Sequence, residues 1–157
     1  MRLDGSCHCG AVRFSVEAHA PVPYMRCYCS ICRTTGGGGG YAINLGAKTE
    51  TLKVTGAAEI GVFHATIDGK ESPAERRFCK RCGTALWVWD PRWPELAHPF
   101  ASAVDTPLPT PPECVHIMLA SKPDWVPVDA ADGCAQFDGY PEESLSDWHQ
   151  RHGLLDE

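Results

Sequence analysis

The sequence predicts a mainly β fold of short antiparallel strands with one short helix at its C-terminus. Three observations predict it. Apolar, β-branched runs of five to eight residues recur along the chain, glycine, proline and charged residues separate them, and a helical hydrophobic period occurs only near the end. With no helical segment between the runs, βαβ units are excluded and antiparallel pairing is expected.

The predicted strands, in chain order, are "AVRFSVEA" from Ala11, "YAINL" from Tyr41, "TLKVTG" from Thr51, "IGVFHATI" from Ile60, "ALWVW" from Ala85 and "VHIML" from Val115. Two stretches between the last of these, "DPRWPELAHP" from Asp90 and "DTPLPTPPE" from Asp105, carry too much proline for central strands. They are expected to be ordered loops that wall a pocket. The segment "PEESLSDWHQRHG" predicts the helix: Pro141 and two acids supply a first turn, Leu145 and Trp148 share a face, and Gly153 is the stop. It is expected to pack as a brace.

At 157 residues, with no internal repeat or linker, one domain over residues 1–157 is expected. Twenty acids against fourteen bases, and no basic run, exclude a phosphate-binding surface of the kind nucleic acid needs. The N-terminal "MRLDGSCHCG" has no apolar signal core, and no stretch of apolar residues is long enough for a membrane span. A cytoplasmic protein is expected, in a compartment that keeps thiols reduced.

Seven of nine cysteines are clustered: Cys7 and Cys9, then Cys27, Cys29 and Cys32, then Cys79 and Cys82, with Cys114 and Cys134 apart. Residues i and i+2 of an extended segment point to one side, so each C-x-C offers two sulfurs to one ion, and a C-x-x-C turn does likewise. Glycine after Cys9 and after Cys82 suits the left-handed backbone of such turns. Structural zinc takes four protein ligands and catalytic zinc takes three, leaving one position open. The economical division gives two zincs per chain, a structural one on Cys7, Cys9, Cys79 and Cys82 and a catalytic one on Cys27, Cys29 and Cys32. His8 faces away from its neighbours' ion. In the alternative, His8, His64, His98, His116 or Cys114 closes the triplet as a fourth ligand and both sites are structural. A disulfide framework fits the odd count and the close pairs less well.

In the words "GSCHCGAVRF", "CYCSICRTTGG" and "RRFCKRCGTALW", followed by "VHIMLASKPDW" and "FDGYPEES", the chain resembles the glutathione-dependent formaldehyde-activating enzymes and their relatives, which include centromere protein V. The resemblance covers nearly the whole chain. It implies a zinc-tethered, Mss4-like β fold with one four-thiolate and one three-thiolate zinc. It also implies a carbon–sulfur lyase that joins formaldehyde to the thiol of glutathione, giving S-hydroxymethylglutathione.

Three thiolates make zinc a mild Lewis acid suited to exchange of a further thiolate, so a small thiol and an aldehyde are the expected partners. Arg33, Lys80 and Arg81 are candidates for holding a substrate carboxylate. His98, and His64 behind it, are candidate proton carriers. The run "GGGGG", Gly36 to Gly40, lacks the strand and helix context of a dinucleotide site and is a loop, either for close approach to a ligand or as a spacer. Trp87, Trp89, Trp93 and Phe100 belong to an apolar pocket or to the core. The competing function is a non-catalytic zinc module that recruits a protein, and a thiol-responsive sensor is a third.

Overall fold

The computed structural model describes residues 1–129 and 132–155. In chain order it forms β1 (Arg2–Ser6), β2 (Arg13–Glu17), β3 (Tyr24–Cys27), α1 (Ser30–Gly36), β4 (Ala42–Asn44), β5 (Ala47–Lys48), β6 (Lys53–Thr55) and β7 (Ile60–Phe63). There follow β8 (Thr66–Ile67), β9 (Lys70–Glu71), β10 (Glu75–Cys79), β11 (Ala85–Trp89), β12 (Leu96–Pro99), β13 (Cys114–Ile117), β14 (Ala135–Gln136) and α2 (Leu145–Arg151). The protein is mainly β.

The strands make a three-stranded sheet in the order β1-β2-β6, a five-stranded sheet β5-β12-β11-β10-β7, a four-stranded sheet β14-β13-β3-β4 and the hairpin β8-β9. Strands β1 and β2 alternate as expected of a half-buried pair: Leu3 and Val16 face each other inward, while Arg2 and Glu17 face each other in solvent. Leu3, Phe14, Val16, Leu45, Leu86 and Trp87 are the centre of the larger core, with Phe14 edge-on to Trp87 at 5.4 Å between ring centroids. Each such side chain contributes about 1.5–3 kcal/mol by leaving water. Trp87 and Phe100 are buried, while Trp93 is exposed beneath the Arg92 guanidinium, so the aromatics divide between core and surface.

Four features differ from the sequence reading. Antiparallel pairing is not universal, because β13 runs parallel to both β3 and β14. The end of the stretch read as the first proline-rich loop is β12, whose Leu96 and Ala97 pair with β5; Pro99 closes the strand, where proline is tolerated. Helix α2 starts after Ser144, whose hydroxyl accepts from the Asp147 amide, so Pro141 lies ahead of the helix and not in its first turn. Trp148 of α2 is buried and its indole donates to Glu113. Finally, Cys114 and Cys134 form a disulfide. Parallel pairing of Val115 with Ala135 brings the preceding cysteines abreast, with Cα atoms 4.9 Å apart.

A smaller core contains Cys27, Cys32, Ala42, Phe100, Val115 and Ile117. It lies where β3 ends and α1 begins, so the central thiols belong to an apolar layer. Among the described residues no helix is long and apolar enough to cross a membrane.

Candidate functional site

The Sγ atoms of Cys7, Cys9, Cys79 and Cys82 all lie within 4.8 Å of one another. Two matching turns deliver them. Gly10 at φ +73° returns its amide to the Cys7 carbonyl at 2.9 Å, and Gly83 at φ +74° does the same to Cys79 at 2.8 Å. Thr84 links the turns, its hydroxyl accepting from the His8 amide and lying 3.2 Å from Cys82 Sγ. That hydroxyl, then backbone amides, draws the Cys82 thiol down to about 5. Four convergent sulfurs with no intervening side chain are the donor set of a closed tetrahedral ion site.

The second group is Cys27, Cys29 and Cys32, again with every sulfur within 4.8 Å of the others. Cys27 ends β3, Cys29 is the N-cap of α1, and Cys32 lies in its first turn, its amide donating to Cys29 Sγ at 3.3 Å. Hydrogen bonds from the Cys27 and Cys32 thiols pull the Cys29 thiol down to about 2, and the same contact with Cys29 pushes Cys27 far up. Charge on one sulfur opposes charge on the other two. Ionising all three sulfurs in this space needs a bound cation, which is the test a three-thiolate metal site has to meet.

Positive charge is supplied from β10. Both terminal nitrogens of Arg76 lie 3.6 Å from Cys32 Sγ, and Asn44 Nδ2 lies 3.7 Å from the same sulfur. Asn44 Oδ1 is buried without a hydrogen-bond partner among the described residues. The register of β10 on β11 shifts between Arg77 and Phe78, next to this position. A cleft of about 280 Å³ opens beside Arg76, walled by Thr35, Phe63, Phe78, Ala85 and Phe100. A second, of about 210 Å³, runs along Gly36 to Gly39 with Tyr41 and Ser102. Tyr140 is 72% exposed, and its hydroxyl is held above the ordinary tyrosine value by desolvation and then by the charges of Cys27, Cys29 and Cys32.

The other residues singled out in the sequence lie as follows. Arg33 is in the last turn of α1 with Nε buried and unpartnered among the described residues. Lys80 and Arg81 project from the turn of the four-sulfur cluster, where Arg81 approaches Glu59 at 3.9 Å. His98 on β12 has Nδ1 3.2 Å from the Leu45 carbonyl, and burial holds its pKa down. His64 bonds to the Ser72 carbonyl. Cys114, His116 and Cys134 also converge, but the two sulfurs are bonded to each other and both imidazole nitrogens are engaged. Arg76, Asn44 and Tyr140 escaped the sequence reading; Arg76 and Asn44 reach Cys32 Sγ from distant segments that only the strand order brings there.

Comparison with known proteins extends this picture. The profile of the glutathione-dependent formaldehyde-activating enzyme family matches residues 2–121. A Halomonas elongata protein provisionally named a glutathione-dependent formaldehyde-activating enzyme is 60% identical over 154 residues, which is 98% of each chain. The crystal structure of a Rhodobacter sphaeroides protein superposes with a TM-score of 0.53 at 24% identity, covering 87% of this chain and 99% of that one, and shares the fold.

Proposed function

The chain belongs to the glutathione-dependent formaldehyde-activating enzyme family, and from that premise we propose that it is a zinc-dependent carbon–sulfur lyase of the S-hydroxymethylglutathione synthase type. The observation that carries this reading is the three-sulfur cluster at the β3–α1 junction with Arg76 beside it. Cys27, Cys29 and Cys32 would hold a catalytic zinc, and Cys7, Cys9, Cys79 and Cys82 a structural one. The catalytic ion would supply an open coordination position at which a substrate thiol is ionised.

The chain's own residues do the rest. Arg76 offsets the negative charge gathered on the sulfurs and keeps Cys32 oriented. The aromatic walls of the adjoining cleft exclude water from the reacting pair. A carbon–sulfur bond forms between the thiol and formaldehyde, and the proton lost by the thiol ends on the former carbonyl oxygen. Tyr140 Oη, which desolvation holds above the ordinary tyrosine value, is the group we assign to deliver that proton. His98, whose Nδ1 faces the Leu45 carbonyl, is the alternative proton carrier through Nε2. The cytoplasm, where glutathione is abundant, is the compartment proposed with it, the Cys114–Cys134 bond being the exception to the reduced thiols expected there.

The test measures metal content per chain and then formaldehyde–glutathione exchange by nuclear magnetic resonance on the same sample. Two zincs and accelerated exchange, with Cys29→Ser keeping the fold and losing the exchange, is the expected result. Two zincs without acceleration would support the non-catalytic module instead.

A further inference from the structure

Both ring nitrogens of His116, a residue 1% exposed, are in use. Nδ1 lies 2.7 Å from Tyr28 Oη and Nε2 lies 3.0 Å from Asp132 Oδ2. A carboxylate only accepts, so Nε2 carries the imidazole proton and Nδ1 accepts from the Tyr28 hydroxyl. Asp132 is itself held, its Oδ1 accepting from the Cys134 amide at 2.8 Å. The result is a directed chain from Tyr28 through His116 to Asp132, and its first two members are buried.

Tyr28 is the residue between Cys27 and Cys29, and it is also 1% exposed. Its amide donates to the Ile117 carbonyl at 3.0 Å. Successive side chains of an extended segment point to opposite sides, so a Tyr28 ring drawn toward β13 turns the flanking sulfurs the other way, toward Cys32. Tyr28 and His116, buried and partnered, resist any rotation that would break their link, because a donor or acceptor would be left unpaired away from water; Asp132 holds the chain from the surface end.

We propose that His116 is a positioning residue for the cluster of Cys27, Cys29 and Cys32: braced by Asp132, it holds Tyr28 by the hydroxyl and so sets the spacing of the sulfurs on either side. The inference rests on the reading of that cluster as the metal-holding reaction centre. The Cys114–Cys134 disulfide completes the brace, since Cys114 precedes His116 by two residues and Cys134 follows Asp132 by two. The bond ties together the two segments that supply the pair. Orienting partners of this kind matter to a metal site almost as much as its ligands do.

The experiment follows release of zinc from the intact, loaded protein to a chromogenic chelator, with the phase belonging to the three-sulfur site identified by its loss in Cys29→Ser. Tyr28→Phe removes one oxygen, His116→Phe removes both ring contacts at similar size, and Asp132→Asn leaves one acceptor oxygen where the carboxylate supplies two, to Nε2–H and to the Cys134 amide. The proposal requires release from the three-sulfur site to quicken about tenfold or more in the first two variants, with the four-sulfur site unchanged and Asp132→Asn falling between them and the parent. Unaltered release in Tyr28→Phe overturns it, and so does equal acceleration at both sites, which marks general loosening. If His116→Phe does not fold, Tyr28→Phe decides alone. A parent protein with two zincs but no lyase activity overturns the proposed reaction and leaves the release test of His116 decisive; a parent with one zinc overturns both.

Discussion

Arg76 aims both terminal guanidinium nitrogens at the sulfur of Cys32, each at 3.6 Å, although the two residues are 44 positions apart. A bidentate cation on a thiolate stabilises the ionised form that a metal needs. Arg76→Met is expected to weaken metal binding at the three-sulfur site by about 10–100-fold, and Arg76→Lys to restore part of it. Competition with a chelator of known affinity measures this, and unchanged affinity in Arg76→Met would remove the residue from the site.

The five glycines from Gly36 to Gly40 are not equivalent. A Cβ on Gly40, at φ +89°, would stand 2.2 Å from Val126 Cγ2, whereas one on Gly38 meets nothing within 4 Å. Gly40→Ala should cost about 2–4 kcal/mol from backbone strain and overpacking together, and Gly38→Ala less than about 0.5 kcal/mol. Urea denaturation of the two variants side by side checks the contrast.

Burial holds His98 below the ordinary histidine value of about 6.5, so it is neutral in the fold and gains its proton on unfolding. The unfolded state then binds more protons, and stability falls as pH drops below that value toward the folded pKa. The parent should lose stability as pH falls below about 6.5, and His98→Asn should show a shallower loss over the same interval. Equal slopes in denaturation series at several pH values would contradict this.

Only part of this arrangement was legible in the sequence. The run around Phe14 alternates because one face of its strand is buried, and the run around Trp87 is apolar throughout, so a local pattern suffices to read both as strands. Strand β10, "ERRFC", carries three charged residues in five, and β3, "YMRC", has no β-branched residue, so neither announces itself. Helix α1 is capped by the thiol of Cys29, where serine, threonine or aspartate is the usual signal. The cysteine groups were visible because ligand spacing is local. Arg76 was not, because its place beside Cys32 depends on how β10 sits against the rest of the fold.

Asp90 is buried and held by Arg92 through two side-chain contacts, at 2.9 and 2.6 Å. The guanidinium keeps the carboxyl below the usual carboxylate range, so its contribution is present at neutral pH and fades as the solution is acidified through that range. Arg92→Met leaves a buried carboxylate with one partner fewer and should cost about 1–3 kcal/mol at neutral pH. Loss of the difference between parent and variant in strong acid is the accompanying expectation, read by thermal denaturation.

The four-sulfur cluster also imposes an order in time. Cys9 meets Cys79, which lies 70 residues further along the chain. At a synthesis rate of about 5–20 residues per second, the first cysteine pair waits roughly 4–14 s for its partners to leave the ribosome. The β1–β2 segment is synthesised long before then, so the nascent chain carries a dithiol whose partners have not yet been made. If the cluster takes up an ion, closure around it would come only after the second pair is made, and a cell short of the ion would accumulate chains whose N-terminal segment has not been fastened to the middle of the protein.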